Sequence, residues 1–210
     1  QPATRRLRDR RRFVAVPPAP GRGRRQLIIT QAHGGSASST APAPGVSALK
    51  QTMNIGSYTF SEFRSLAENF HGYAAPGLLI GGYMVELGKK HLPEGTLFEA
   101  VVETKKCLPD AVQLLTLCST GNNRMKICNL GRYAVALFDK KTGRGVRVSL
   151  DSAKLRQWPE IAGWFFKLKP KKEQDPVRLE QEIEQAGDTI CNVQDICIQS
   201  RYIGHGHMHH

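Results

Sequence analysis

Apolar residues first fall into a helical period between Ser61 and Leu92. Phe63, Leu66, Ala67 and Phe70 recur at spacings of three and four, with Arg64, Glu68 and Asn69 between them. That pattern predicts an amphipathic helix capped by Ser61 and ended by Gly72, next to His71. Pro76 suits the first turn of a second helix, which runs through Leu78, Leu79, Tyr83 and Leu87 to about Leu92. Gly77, Gly81 and Gly82 each cost that helix about 1 kcal/mol against alanine. Several glycines on one stretch point to a backbone or a ligand packed very close.

After the turn Pro93-Glu94-Gly95 the period shortens to that of strands. Thr96 to Thr104 reads as a strand, and Pro109 then opens a third helix, Asp110 to Leu117, with Asp110 against its positive end. Ser119 to Asn123 is a loop. Met125 to Asn129, Arg132 to Asp139 and Gly145 to Leu150 are three further strands, the last two joined by the hairpin signal Lys140-Lys141-Thr142-Gly143. Helices follow at about 151–157, 160–167 and 176–186, then a strand at about 189–199. Helices and strands interleave without a strict βαβ repeat. The fold expected is α+β, a mixed or antiparallel sheet packed with helices.

Length and charge change this picture mainly at the ends. The chain has 210 residues, and no run reaches the ~18 apolar residues of a membrane span. Its net charge is +12, yet residues 1–52 hold ten bases against one acid, and the remaining twenty bases face seventeen acids. The basic character therefore belongs to a leader, and the body is close to neutral. That leader (RRLRDRRR, VPPAPGRGRR, GGSASSTAPAPG) lacks apolar periodicity and is expected to be disordered. The composition turns globular at Met53, so a non-native upstream segment is a second expectation for 1–52. Clustered arginine would suit a phosphate backbone, and nothing outside the leader suggests nucleic acid. Leu27-Ile28-Ile29 is too short for a secretory apolar region.

Five cysteines, an odd number with no C-x-x-C pair, fit reduced thiols in the cytoplasm. Cys128, Cys191 and Cys197 lie in strand patterns and read as packing thiols. Cys107 precedes a helix and follows Lys105 and Lys106, which favours a thiolate; Cys118 lies just past the same helix. Ten helical residues between them would span about 15 Å. One zinc could then hold both only with a short or bent helix, or with a second protomer contributing. His91 reads as a solvated helix end. His205, His207, His209 and His210 form a tail that takes up divalent metals readily. No G-x-S-x-G, H-E-x-x-H or phosphate-binding loop occurs, and no catalytic residue can be named.

Three blocks in series, FHGYAAPGLLIGGYMVELGKKHL, ETKKCLPDAVQLLTLCSTGNN and LGRYAVALFDKKTGRGVRV, resemble the formylmethanofuran dehydrogenase E-subunit family over about 60–200. The domain is set at 53–200, with 201–210 a histidine-rich end. The resemblance implies an α+β domain with a metal site, zinc or a similar divalent ion, often dimeric. It also implies an accessory role beside a molybdenum or tungsten enzyme of one-carbon redox metabolism. His71, Cys107 and Cys118 match the family's pattern and are the expected ligands. Two positions depart from it: many members read F-H-G-H-x-C-P-G, where this chain has Tyr73 and Ala75. The family's C-terminal zinc ribbon of paired cysteines has no counterpart before His210. Two alternatives stand beside the metal reading: a metal-free binding or scaffolding module, and a cysteine- or metal-dependent enzyme on a small one-carbon or pterin-like substrate.

Overall fold

Thr59, two residues before the expected cap, starts the first helix. Its side chain accepts from Glu62 N–H, and the Glu62 carboxylate accepts from Thr59 N–H at 2.7 Å, a reciprocal capping box. The computed structural model describes residues 54–198. The leader 1–52 and the terminal histidines lie outside them, as do the expectations placed on both.

Helix α1 spans Phe60–His71, α2 Pro76–Lys90, β1 Phe98–Val102, α3 Leu108–Leu115, β2 Met125–Ile127, β3 Ala134–Asp139 and β4 Arg144–Leu150. Then follow α4 Ser152–Leu155, α5 Pro159–Phe165, α6 Pro176–Ala186 and β5 Cys191–Cys197. The strands form one sheet in the order β2-β1-β3-β4-β5. β1 and β2 run parallel with Ala100 opposite Met125, and the other neighbours are antiparallel. The fold is α+β with a mixed sheet, as expected. The parallel pair is a single βαβ unit whose crossover contains α3.

Pleating sends alternate residues to opposite faces. Ala100, Val102, Val135, Leu137 and Val148 join the main core with α2, while Val101, Ala136, Phe138 and Ile196 form a smaller cluster. On that second face Glu103, 1% exposed, receives two hydrogen bonds from Arg147 at 2.5 and 2.8 Å. A bidentate guanidinium partner is what a buried carboxylate needs to remain charged.

α2 is apolar on all sides, and it is buried from Gly77 through Glu86. Its glycines are contact points for neighbouring side chains. A Cβ at Gly82 would come within 2.5 Å of the Phe63 ring, one at Gly81 within 2.9 Å of Ala111, and one at Gly88 within 2.9 Å of Leu137. Close approach was therefore legible, and the approaching groups at these three glycines are α1, α3 and the sheet.

Candidate functional site

Three segments meet at the start of α3. α1 ends at His71 because Gly72 takes a left-handed conformation (φ 88°) and its N–H closes on the Glu68 carbonyl. The chain then turns through Tyr73, and Pro76 and Gly77 open α2. The third segment leaves β1 through Glu103 and Thr104 and places Cys107 at the N-cap of α3, where its carbonyl accepts from Asp110 N–H at 3.1 Å.

The side chains at this junction form a chain of contacts. Asp110 Oδ2 lies 2.7 Å from His71 Nδ1, and His71 Nε2 lies 3.9 Å from Cys107 Sγ. All three side chains are partly buried. The Tyr73 ring lies 5.1 Å from the His71 ring and is exposed on its outer side. Beneath the thiol, α2 comes close: a Cβ at Gly77 would sit 3.3 Å from Cys107 Cβ, 3.5 Å from its Sγ and 2.7 Å from Tyr133 Oη. Tyr133 donates to the Gly77 carbonyl at 2.5 Å and so ties the first turn of α2 to the sheet.

Electrostatics at Cys107 differ from the expectation of a thiolate. Burial pushes its thiol up, and the nearby Asp110 carboxylate adds to this; a backbone hydrogen bond and the Lys106 charge act in the other direction but do not outweigh it. Burial also keeps the Tyr133 hydroxyl protonated, far above the ordinary tyrosine range. Lys105 and Lys106 are both exposed, so solvent screens their charge.

His71 and Cys107 are thus brought together, and Cys118 is not brought to them. α3 has eight residues, about 12 Å of helix, and Cys118 lies beyond its far end. It is fully buried there, with Sγ donating to the Phe98 carbonyl at 3.4 Å. Cys191 is buried at the start of β5, whereas Cys128 and Cys197 are half-buried. His91 caps α2 on the surface, with Nδ1 2.8 Å from the Leu87 carbonyl, as expected for a helix end. His205, His207, His209 and His210 lie outside the described residues.

Zinc takes thiolate and imidazole donors, four in closed sites and three in open ones. One donor of each kind faces the other here. Among the described residues no group of three His, Cys, Asp or Glu side chains could hold a metal ion. The donor types therefore fit zinc as an open half-set, and Ala75, buried with no polar atom on its side chain, adds nothing to it. Two features escape a reading of the sequence. Asp110 reads there as a partner of the helix dipole alone, although C-x-x-D spacing puts it one turn from Cys107. Tyr133 carries no signal until the chain is folded.

Comparison with known proteins places this junction in a family. A family model described as "FmdE, Molybdenum formylmethanofuran dehydrogenase operon" matches residues 70–198, more than half of the chain. The chain belongs to the FmdE family. An FmdE-like protein of tungsten formylmethanofuran dehydrogenase, from Syntrophus aciditrophicus, has a similar crystal structure, with TM-score 0.68 and 46% identity. That match covers 75% of this chain and 83% of the other. A probable S-adenosyl-L-methionine-binding protein from Archaeoglobus fulgidus is 30% identical over 134 residues, 58% of this chain. The FmdE-family chain described here spans 37% of that relative's length. The family match begins at Phe70 and so includes His71, Cys107 and Asp110. Among the described residues no helix is long and apolar enough to cross a membrane.

Proposed function

We propose that this FmdE-family protein binds a thiophilic divalent metal, zinc in the first place, at His71 and Cys107. In this reading it is a cytoplasmic accessory protein, acting as a homodimer beside a molybdenum or tungsten enzyme of one-carbon redox metabolism. The family match supports the metabolic setting. One observation carries the metal reading: a carboxylate, an imidazole and a thiol stand in series, Asp110 to Nδ1 and Nε2 towards Sγ. A metal-binding histidine is ordinarily held in this way, its second nitrogen donating to a carboxylate. A bound zinc would act as a Lewis acid on whatever fills its open positions. The chain's own part is to aim two donors at one point and to keep water from one side through Gly77 and Tyr133.

The test is metal content. Protein lacking residues 204–210 should copurify with close to one zinc per chain, and Cys107→Ser should lose most of it, since a hydroxyl is a poor ligand at neutral pH. Tail-free protein that is metal-free as isolated, and takes up none when zinc is supplied, would overturn the reading.

A second reading has an observation of its own. The order thiol, imidazole, carboxylate is also that of an activated cysteine, with His71 as general base and Asp110 orienting it. The substrate would be a small one-carbon or pterin-like molecule. Selective alkylation of Cys107 over the four other thiols in metal-free protein, abolished by His71→Ala, favours this reading.

A further inference from the structure

Asp110 has a position that its place on α3 does not by itself require. It is the third residue of the helix, where the helix N-terminus already favours a carboxylate. Yet its side chain leaves its own helix and meets a histidine 39 positions earlier in the sequence, 2.7 Å from Nδ1. The two groups are each about three-quarters buried, so water competes poorly for that contact. A carboxylate at this distance only accepts, so the proton between them belongs to the imidazole. The other nitrogen then faces Cys107 Sγ without a proton.

We propose that Asp110 is a positioning residue: it fixes His71 in the tautomer with the proton on Nδ1 and presents the bare Nε2 lone pair to the space beside Cys107. The geometry supports this in two further ways. Gly72 stops α1 immediately after His71, so the ring sits on the last residue of a regular helix, and the Tyr73 ring lies against it at 5.1 Å. Cys107, at the N-cap, and Asp110, three residues on, start the same helix, so one element carries both the thiol and the group that aims the imidazole at it. A free imidazole exchanges between tautomers; here the fold selects one. This inference rests on the proposed metal reading only for its consequence, which is tighter metal binding. The tautomer itself is a property of the metal-free chain.

The experiment has two parts, both on protein lacking residues 204–210. The first is nitrogen-15 NMR of the imidazoles in the metal-free wild type and in Asp110→Ala. The wild type should show His71 with its proton on Nδ1, and the variant a mixed or reversed tautomer with an unchanged circular dichroism spectrum. The second is zinc affinity, measured by competition with a chromophoric chelator, which Asp110→Ala should weaken about 10- to 100-fold. A wild-type His71 that carries its proton on Nε2 overturns the proposal, and so does a tautomer unmoved by Asp110→Ala. The wild-type spectrum decides the matter alone if the variant does not fold. Wild-type protein that takes up no zinc defeats the metal reading and leaves the tautomer assignment to stand or fall on the NMR.

Discussion

Buried thiols differ from one another by what surrounds them, and Cys191 gives the most measurable case. Its side chain is enclosed at the start of β5, and burial together with the Asp188 charge pushes the thiol up to about 12. An unfolded chain releases the same proton near the ordinary value of about 8.5. The folded state therefore holds the proton more tightly. Its contribution to stability is complete below about 8.5 and is lost as pH rises towards 12. Comparing urea midpoints of the wild type and Cys191→Ala, the wild type should be the more stable at pH 7. The gap should narrow above pH 9, by at most about 1.4 kcal/mol per pH unit. A gap that stays constant from pH 7 to pH 11 would show that Cys191 does not feel its burial. At the same scale, Gly82 shows how a sequence reading can be right about cause and silent about partner. A glycine in a costly position announced a close approach. Only the fold could say that the Phe63 ring was the approaching group.

At the level of elements, Thr59 controls how α1 begins. The Thr59 hydroxyl and the Glu62 carboxylate satisfy backbone donors that would otherwise be left open at the helix start. Thr59→Ala should cost about 1 kcal/mol in chemical denaturation without changing the site, whereas Ser61→Ala should be near neutral. Equal losses for the two would return the cap to Ser61. The T-x-x-E spacing was present in the sequence, so this boundary was legible and the nearer serine drew the cap instead. The elements themselves were all legible, because each carries its own period of apolar residues and its own proline or glycine punctuation. The parallel pairing of β1 with β2 was not. β2 is only three residues long, with two of them exposed, so its pattern could not say which neighbour it would choose.

Across the whole molecule, local rules ran out where distant segments meet. His71, Cys107 and Cys118 belong together in one family pattern, and the fold then separates them. His71 and Cys107 converge because α1 ends where α3 begins. Cys118 stays at the other end of α3, since a helix of eight residues keeps its ends apart. The Asp110–His71 contact spans 39 positions and depends on how α1 and α3 are placed, which no local spacing encodes. The two departures from the family pattern, Tyr73 and Ala75, become interpretable only at this scale. The tyrosine ring lies against His71, and the alanine is buried at the start of α2. What remains at the junction is one imidazole and one thiol held face to face.

That pairing is the central claim, and cobalt is its most direct probe because it reports its own ligands. Protein without residues 204–210 should take up about one cobalt(II) per chain. It should then show thiolate-to-cobalt charge-transfer absorption together with the visible bands of a low-coordinate site. Cys107→Ser should abolish the charge-transfer absorption, His71→Ala should weaken uptake, and Cys128→Ser should change neither. Absence of cobalt uptake, or a charge-transfer band that survives Cys107→Ser, would contradict a centre built on His71 and Cys107.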